Sequence, residues 1–185
     1  MGVTMTITIL GLGPGNPEQI TLEAWRTLEQ ADTVVLWSDD HIPRSALPSG
    51  PTYRLLADDF GTLDANADIY QSVVDAVCAY EDVVYAVPGD PSVIELTDRI
   101  RACAAEQGKA VQVVSGMSFI EPALAALEIV GGRDGLQVYS GDLLTNMYYP
   151  PFNPDAPVLV AMVHTPELAE HIQQLLLNQY PPDHQ

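Results

Sequence analysis

Three short turns carry the residue types best suited to holding a ligand: Gly11-Leu12-Gly13-Pro14-Gly15, Pro88-Gly89-Asp90-Pro91 and Ser115-Gly116-Met117-Ser118. Glycine lets a backbone come close to a ligand and adopt positive φ. The first turn falls just short of a dinucleotide-binding fingerprint, which needs G-x-G-x-x-G between a strand and a helix. Its glycines are Gly11, Gly13 and Gly15, and the sixth position is Asn16. Pro14 and Pro17 remove two N–H donors that a phosphate cradle would use. The next helix start, Thr21, comes too late to aim its dipole into the loop. Pyrophosphate binding and nicotinamide chemistry are therefore disfavoured. Asp90 is the one charged residue in the three turns, and one reading makes it the N-cap of a helix starting at Ser92, worth about 1 kcal/mol. The histidines His41, His164, His171 and His184 form no ligand pair. Asp39-Asp40-His41 reads as a solvated loop in preference to a substrate contact, His164 as a surface residue in preference to one bordering the cleft, and no side chain stands out as a catalytic base.

The elements that must position these turns alternate between β-rich runs and helical periods, the pattern of a parallel α/β sheet. Strands are expected at Thr6 to Leu10, Thr33 to Trp37, Tyr53 to Leu56, Asp82 to Val87 and Ala110 to Val114. A helix capped by Thr21 would bury Leu22, Trp25 and Leu28. A second, Ala65 to Ala79, would turn Ile69, Val73, Val74 and Val77 inward. A third would run from Ser92 to Gln107 and stop at Gly108, a glycine C-cap. The three candidate turns then follow strands one, four and five, on the carboxyl edge where parallel sheets bind ligands. One α/β domain closes near residue 115. Residues 116–185 begin a second, with a helix from Phe119 to Leu127, strands at Leu136 to Tyr139 and Val158 to Val163, and a helix from Pro166 to Leu177. Two strands are too few for a stable sheet, so the second domain is expected to be cut short or to be completed by another part of a longer chain.

Seven Lys and Arg against twenty-five Asp and Glu give a formal charge of −18. A surface so negative repels nucleic acid and anionic membrane, which demand clustered cations. No stretch reaches the ~18 apolar residues of a membrane span, and the N-terminus lacks a basic leader. Cys78 and Cys103 have no metal-ligand spacing and read as core residues of a reducing compartment, the cytoplasm.

Taken together, the turns resemble motifs of the tetrapyrrole (corrin/porphyrin) methylase family. Ile9 to Thr21 is similar to its opening Gly-x-Gly-Pro-Gly-x-Pro loop and Leu-Thr helix start, with Gln19-Ile20 where the family often has two leucines. Gly89-Asp90-Pro91 resembles its second motif. Val113 to Phe119 resembles its third, with Ser115 in place of the usual proline, and Val158 to Met162 is a weaker match to its late strand. Val158 to Pro181 is similar in particular to the methylase-like domain ahead of MazG-type nucleoside triphosphate pyrophosphohydrolases.

The resemblance implies an S-adenosyl-L-methionine-dependent methyltransferase acting on a small or tetrapyrrole-like substrate; methyl transfer from a sulfonium needs no metal, and the −18 charge conflicts with a nucleic-acid substrate. By motif, Pro88, Gly89, Asp90 and Val93 would line the methionine and ribose end of the cofactor. Ser118 and Phe119 would touch it from the third turn, and Met162 would flank the adenine. Gly amides would face the methionine carboxylate. Asp90 would pair with the cofactor ammonium or a ribose hydroxyl, a role compatible with capping. Gly11, Gly13, Pro14 and Gly15 would border the substrate cleft between the domains. The family implies a homodimer. The MazG likeness implies a covalently attached pyrophosphohydrolase beyond Gln185, and with it the alternative of a non-catalytic, regulatory methylase-like domain.

Overall fold

The structure is a computed structural model that describes residues 5–60, 69–163 and 165–182. Residues 65–68 of the expected second helix, His164 and His184 lie outside the described residues. The chain divides into two units, Met1–Pro122 and Ala123–Gln185, so the division falls after Pro122 rather than at residue 115.

In the first unit, β1 (Thr6–Gly11), β2 (Thr33–Leu36), β3 (Thr52–Leu55), β4 (Val83–Val87) and β5 (Ala110–Val114) form one sheet in the order β3-β2-β4-β1-β5. Every pairing in it is parallel. The central strand β4 is buried along its length and β1 is buried from Ile7 onward. Such runs suit a parallel sheet covered on both faces. Side chains alternate between the faces, as the two-residue period of a strand dictates. Ile7, Ile9, Val35, Val83, Tyr85 and Val87 join one core with α3 (Ile69–Cys78) and α4 (Leu96–Glu106). Leu10, Val34, Leu36, Val84, Ala86 and Val114 join the other, with Ala24 and Leu28 of α1 (Leu22–Gln30). Ile7, Ile9 and Leu10 are wholly buried, and each such burial contributes roughly 2 kcal/mol.

Several local expectations need correction. Leu22 is 63% exposed, because α1 packs through Ala24 and Leu28, spaced i and i+4. Ile69 is likewise exposed, whereas Val73, Val74 and Val77 are buried. A short helix, α2 (Leu56–Phe60), follows β3 directly where the sequence suggested none. The segment after β4 first makes a 3-10 turn, Pro91–Val93, and α4 begins only at Leu96. Proline at the turn's first position favours this local tightening. Gly108 does end α4: at φ 67° it lets the Lys109 N–H reach the Ala104 carbonyl at 2.9 Å, a Schellman closure.

The second unit holds the carboxyl part of α5 (Ile120–Ala126), α6 (Gly131–Asp134), β6 (Gln137–Ser140), α7 (Gly141–Leu144), β7 (Val158–Ala161) and α8 (Pro166–Leu177). β6 and β7 pair in parallel as a two-stranded sheet. Their core is Leu144, Leu168, Ile172 and Leu175, with Tyr139, Phe152 and Val160 against it. Thr165 caps α8 by accepting the Leu168 N–H at 3.1 Å. The Gln137 side chain holds the proline-rich loop before β7, donating to the Asn153 carbonyl at 2.9 Å and accepting from the Asn153 N–H at 2.8 Å.

Candidate functional site

β1 and β4 are neighbours, yet the chain leaves β1 for a helix on one face and β4 for a helix on the other. Their carboxyl ends lie where the connections diverge, the place at which open α/β sheets bind ligands. The two exits are tied together. Leu12 N–H donates to the Val87 carbonyl at 2.8 Å, Gly13 N–H to Gly89 at 3.1 Å, and Gly89 N–H to Gly13 at 2.7 Å. This isolated antiparallel bridge needs φ of 84° at Gly13 and 68° at Gly89, a region that glycine enters without a side-chain clash.

The third turn is packed against the first two. A Cβ on Gly11 would sit 2.5 Å from the Gly89 carbonyl oxygen and 2.6 Å from the Gly116 nitrogen. A Cβ on Gly116 would lie 2.7 Å from the Gly11 carbonyl carbon. Asp90 locks this junction. One carboxylate oxygen accepts the Ser92 N–H at 2.8 Å and the Ser92 hydroxyl, and the other accepts the Gly116 N–H at 3.0 Å. Burial pushes the Asp90 pKa up, but hydrogen bonds from Ser92, Gly116 and the Ser115 hydroxyl outweigh it and hold it below the usual carboxylate value. Asp90 therefore caps the 3-10 turn Pro91–Val93, rather than an α-helix starting at Ser92, and also staples the third turn to the second.

The structure thus gathers Gly11, Gly13, Gly89, Asp90 and Gly116 within hydrogen-bond or van der Waals reach of one another. Phe119 joins them, its ring edge and amide 4.0 Å from where a Gly89 side chain would begin. Ser118 is turned to local use, its hydroxyl accepting the Ile120 N–H at 2.9 Å. Pro88 and Val93 are exposed beside Gly89, and Pro14 and Gly15 are half-buried. Met162 belongs to the second unit, just past β7, where it is 52% exposed with φ of 59°. A left-handed methionine is strained by about 1 kcal/mol or more. The amides of Gly13, Gly89 and Gly116 are all spent on internal bonds. They do not face outward toward a carboxylate as the sequence suggested.

Three contributors escaped the sequence. His41 is no merely solvated residue: its Nε2 donates to the Gly13 carbonyl at 2.8 Å. Thr21 caps α1 through the Ala24 N–H at 3.1 Å, and its hydroxyl also donates to the Ser115 carbonyl at 3.1 Å. Ser115, standing where proline was expected, supplies a hydroxyl to Asp90. These bonds span 28, 94 and 25 residues, and no local pattern encodes them. Asn16, which spoils the dinucleotide fingerprint, serves the local backbone instead. Its side chain accepts the Glu18 N–H at 3.0 Å and caps the 3-10 turn Pro17–Gln19.

Residues 6–184 match the model of the family Tetrapyrrole (Corrin/Porphyrin) Methylases. The chain belongs to the tetrapyrrole methylases. It is 31% identical over 128 residues to the uncharacterized protein YabN of Bacillus subtilis, covering 66% of this chain and 26% of that protein. It is 30% identical over 125 residues to precorrin-4 C(11)-methyltransferase of Rhodococcus erythropolis, covering 66% and 48%. The chain thus spans about half or less of the length of these relatives. Among solved structures it resembles uroporphyrin-III-C-methyltransferase from Thermus thermophilus, with TM-score 0.64, 20% identity, and 96% of this chain and 76% of that one covered. A cobalt precorrin-4 methyltransferase gives TM-score 0.62 at 16% identity, covering 94% and 74%. Both show the same parallel α/β fold.

Tetrapyrrole methylases use S-adenosyl-L-methionine as methyl donor. At the first sheet's carboxyl edge, the position open toward such a group is Gly89. Apart from Gly89's own chain neighbours, no atom comes closer than 4.0 Å to the place a side chain would occupy, and the Phe119 ring edge lies at that distance.

Proposed function

We propose that the carboxyl edge of the first sheet holds S-adenosyl-L-methionine and that the protein takes part in methyl transfer to a small, planar, tetrapyrrole-like acceptor. The observation that carries this reading is the locked junction of three glycine turns at the divergence of β1 and β4. The bound sulfonium would supply an electrophilic methyl group. The protein's share is alignment and exclusion of water, the main requirements of an in-line displacement.

In this reading Pro88, Gly89 and Val93 line the cofactor with Ser118 and Phe119. The bare Gly89 α-carbon permits close approach, and the Phe119 ring edge supplies an apolar wall. Asp90 acts indirectly, by holding Gly116 and Ser92 in place, because both its oxygens already accept hydrogen bonds. Gly11, Gly13, Pro14 and Gly15 border the acceptor. Titration calorimetry with S-adenosylhomocysteine should show saturable binding to the chain. The absence of heat at millimolar ligand would defeat the reading. The uroporphyrin-III and precorrin-4 acceptors named for the relatives are the acceptor class to assay first.

A second reading is a cofactor-holding regulatory domain within a longer protein that carries a MazG-type pyrophosphohydrolase. The match to only 26% of YabN favours it, since that relative has much chain besides this domain. S-adenosylhomocysteine binding without methylation of any porphyrinoid acceptor would support this reading over the first. Both readings take the protein as a cytoplasmic homodimer, and sedimentation at the mass of one chain would refute the dimer.

A further inference from the structure

His41 is placed with unusual firmness for a loop residue. Its neighbour Ile42 is 1% exposed and packs in the core with Leu47, so the chain on its carboxyl side is anchored. The Pro43 carbonyl then accepts the Ala46 N–H at 2.8 Å at the start of the 3-10 turn Arg44–Ala46, and Arg44 pairs with Asp39 at 3.1 Å across the loop. The imidazole lies along the glycine turn. Its Nε2 is 2.8 Å from the Gly13 carbonyl oxygen, and its Cε1 is 3.5 Å from where a Gly15 side chain would start. A carbonyl oxygen only accepts, so Nε2 carries a proton and donates it.

The same Gly13 oxygen accepts the Gly89 N–H at 2.7 Å. Gly13 carries φ of 84° and Gly15 φ of 118°, so two left-handed glycines flank Pro14 with little intrinsic preference for one conformation. Such a turn needs an outside constraint to hold a single shape.

We propose that His41 is a positioning residue for this site: by donating to the Gly13 carbonyl it holds the Gly13–Gly89 bridge closed and so sets the backbone at the cofactor turn. The inference rests on the reading of that turn as the S-adenosyl-L-methionine edge. His41 acts through Gly13 and not on the reacting atoms.

Two variants separate this from a general role in folding. His41→Ala removes the donor, whereas His41→Gln keeps an N–H at about the reach of Nε2. Amide hydrogen exchange on the chain without ligand reads the bridge directly. In His41→Ala the Gly13 and Gly89 amides should exchange about five- to tenfold faster, the loss expected for one hydrogen bond. The amides of Ile9 and Tyr85 in the core should not change, and His41→Gln should restore the wild-type rates. The S-adenosylhomocysteine dissociation constant should rise by a similar factor in His41→Ala and recover in His41→Gln.

Unchanged Gly13 and Gly89 exchange in His41→Ala overturns the proposal, as does a uniform rise across the core amides. Faster loop exchange with unaltered S-adenosylhomocysteine affinity overturns the positioning role. If the wild-type chain binds no S-adenosylhomocysteine, the cofactor reading fails, and the exchange arm alone still decides whether His41 holds the bridge.

Discussion

Replacing Gly11 with alanine is the sharpest test of the three-turn junction. Gly11 is the last residue of β1, and its register partner is Val87. The new methyl would lie 2.5 Å from the Gly89 oxygen, 2.6 Å from the Gly116 nitrogen and 2.7 Å from the Gly116 α-carbon, all inside the 3.0 Å that real Cβ atoms respect. All three are backbone atoms, so no side chain can swing away. Relief requires the turns after β4 and β5 to back off from β1. That movement strains the two Gly13–Gly89 hydrogen bonds. Overpacking costs about 1–3 kcal/mol, and two weakened hydrogen bonds add about 1 kcal/mol each. The expected loss is about 3–5 kcal/mol, a large part of the roughly 5–15 kcal/mol that stabilises a typical domain.

Urea unfolding followed by tryptophan fluorescence is the assay, since Trp25 and Trp37 both lie in the first unit. Two alanine variants in that unit serve as references. Gly50→Ala meets only the Glu29 oxygen at 3.7 Å, so it should change stability by less than about 1 kcal/mol. Gly108→Ala meets nothing within 4 Å but must take φ of 67°, which isolates left-handed strain at about 1 kcal/mol. A Gly11→Ala loss no larger than that of Gly108→Ala would refute the close packing of the three turns.

Asp90→Asn should destabilise the first unit by about 2–3 kcal/mol, because an amide offers one acceptor oxygen where Ser92 and Gly116 require two. The folded carboxyl pKa is lowered, so the stabilisation is full above the unfolded value of about 3.9 and fades as pH falls below it. The gap between wild type and Asp90→Asn, measured by urea unfolding, should therefore narrow in acid; a gap that widens would contradict the assignment. Thr21→Val should cost about 1–2 kcal/mol, from the α1 cap together with the bond to Ser115. Thr21→Ser should recover most of it on thermal unfolding. Cys78 is buried, and its thiol is pushed up to about 12 by burial, then by its hydrogen bond with Cys103 and by the charge there. A disulfide reagent at pH 8 should titrate Cys103 first and leave Cys78 slow until the protein unfolds.

Much of the scaffold was legible in the chain. Val83 to Val87 and Ile7 to Leu10 are almost continuously apolar, which a strand covered on both faces explains, and β4 and β1 are such strands. Pro166 marked the start of α8, and Gly108 the end of α4, because proline at a helix start and glycine just past its end are local preferences. Leu22 and Ile69 were misplaced because helical spacing admits more than one stripe. Only the sheet decides which stripe is covered.

The candidate site divides along the same line. Glycine and proline spacing by itself determined where the turns lie and that each follows a strand. It also carried the likeness to the family that the whole chain bears out. The partners of those turns belong to the tertiary structure alone: Gly13 with Gly89, Asp90 with Gly116, Thr21 with Ser115, His41 with Gly13. The reason is physical. A turn's conformation depends on residues within a few positions of it. A hydrogen bond between two turns depends on the strand order β3-β2-β4-β1-β5, which sets residues distant in sequence side by side.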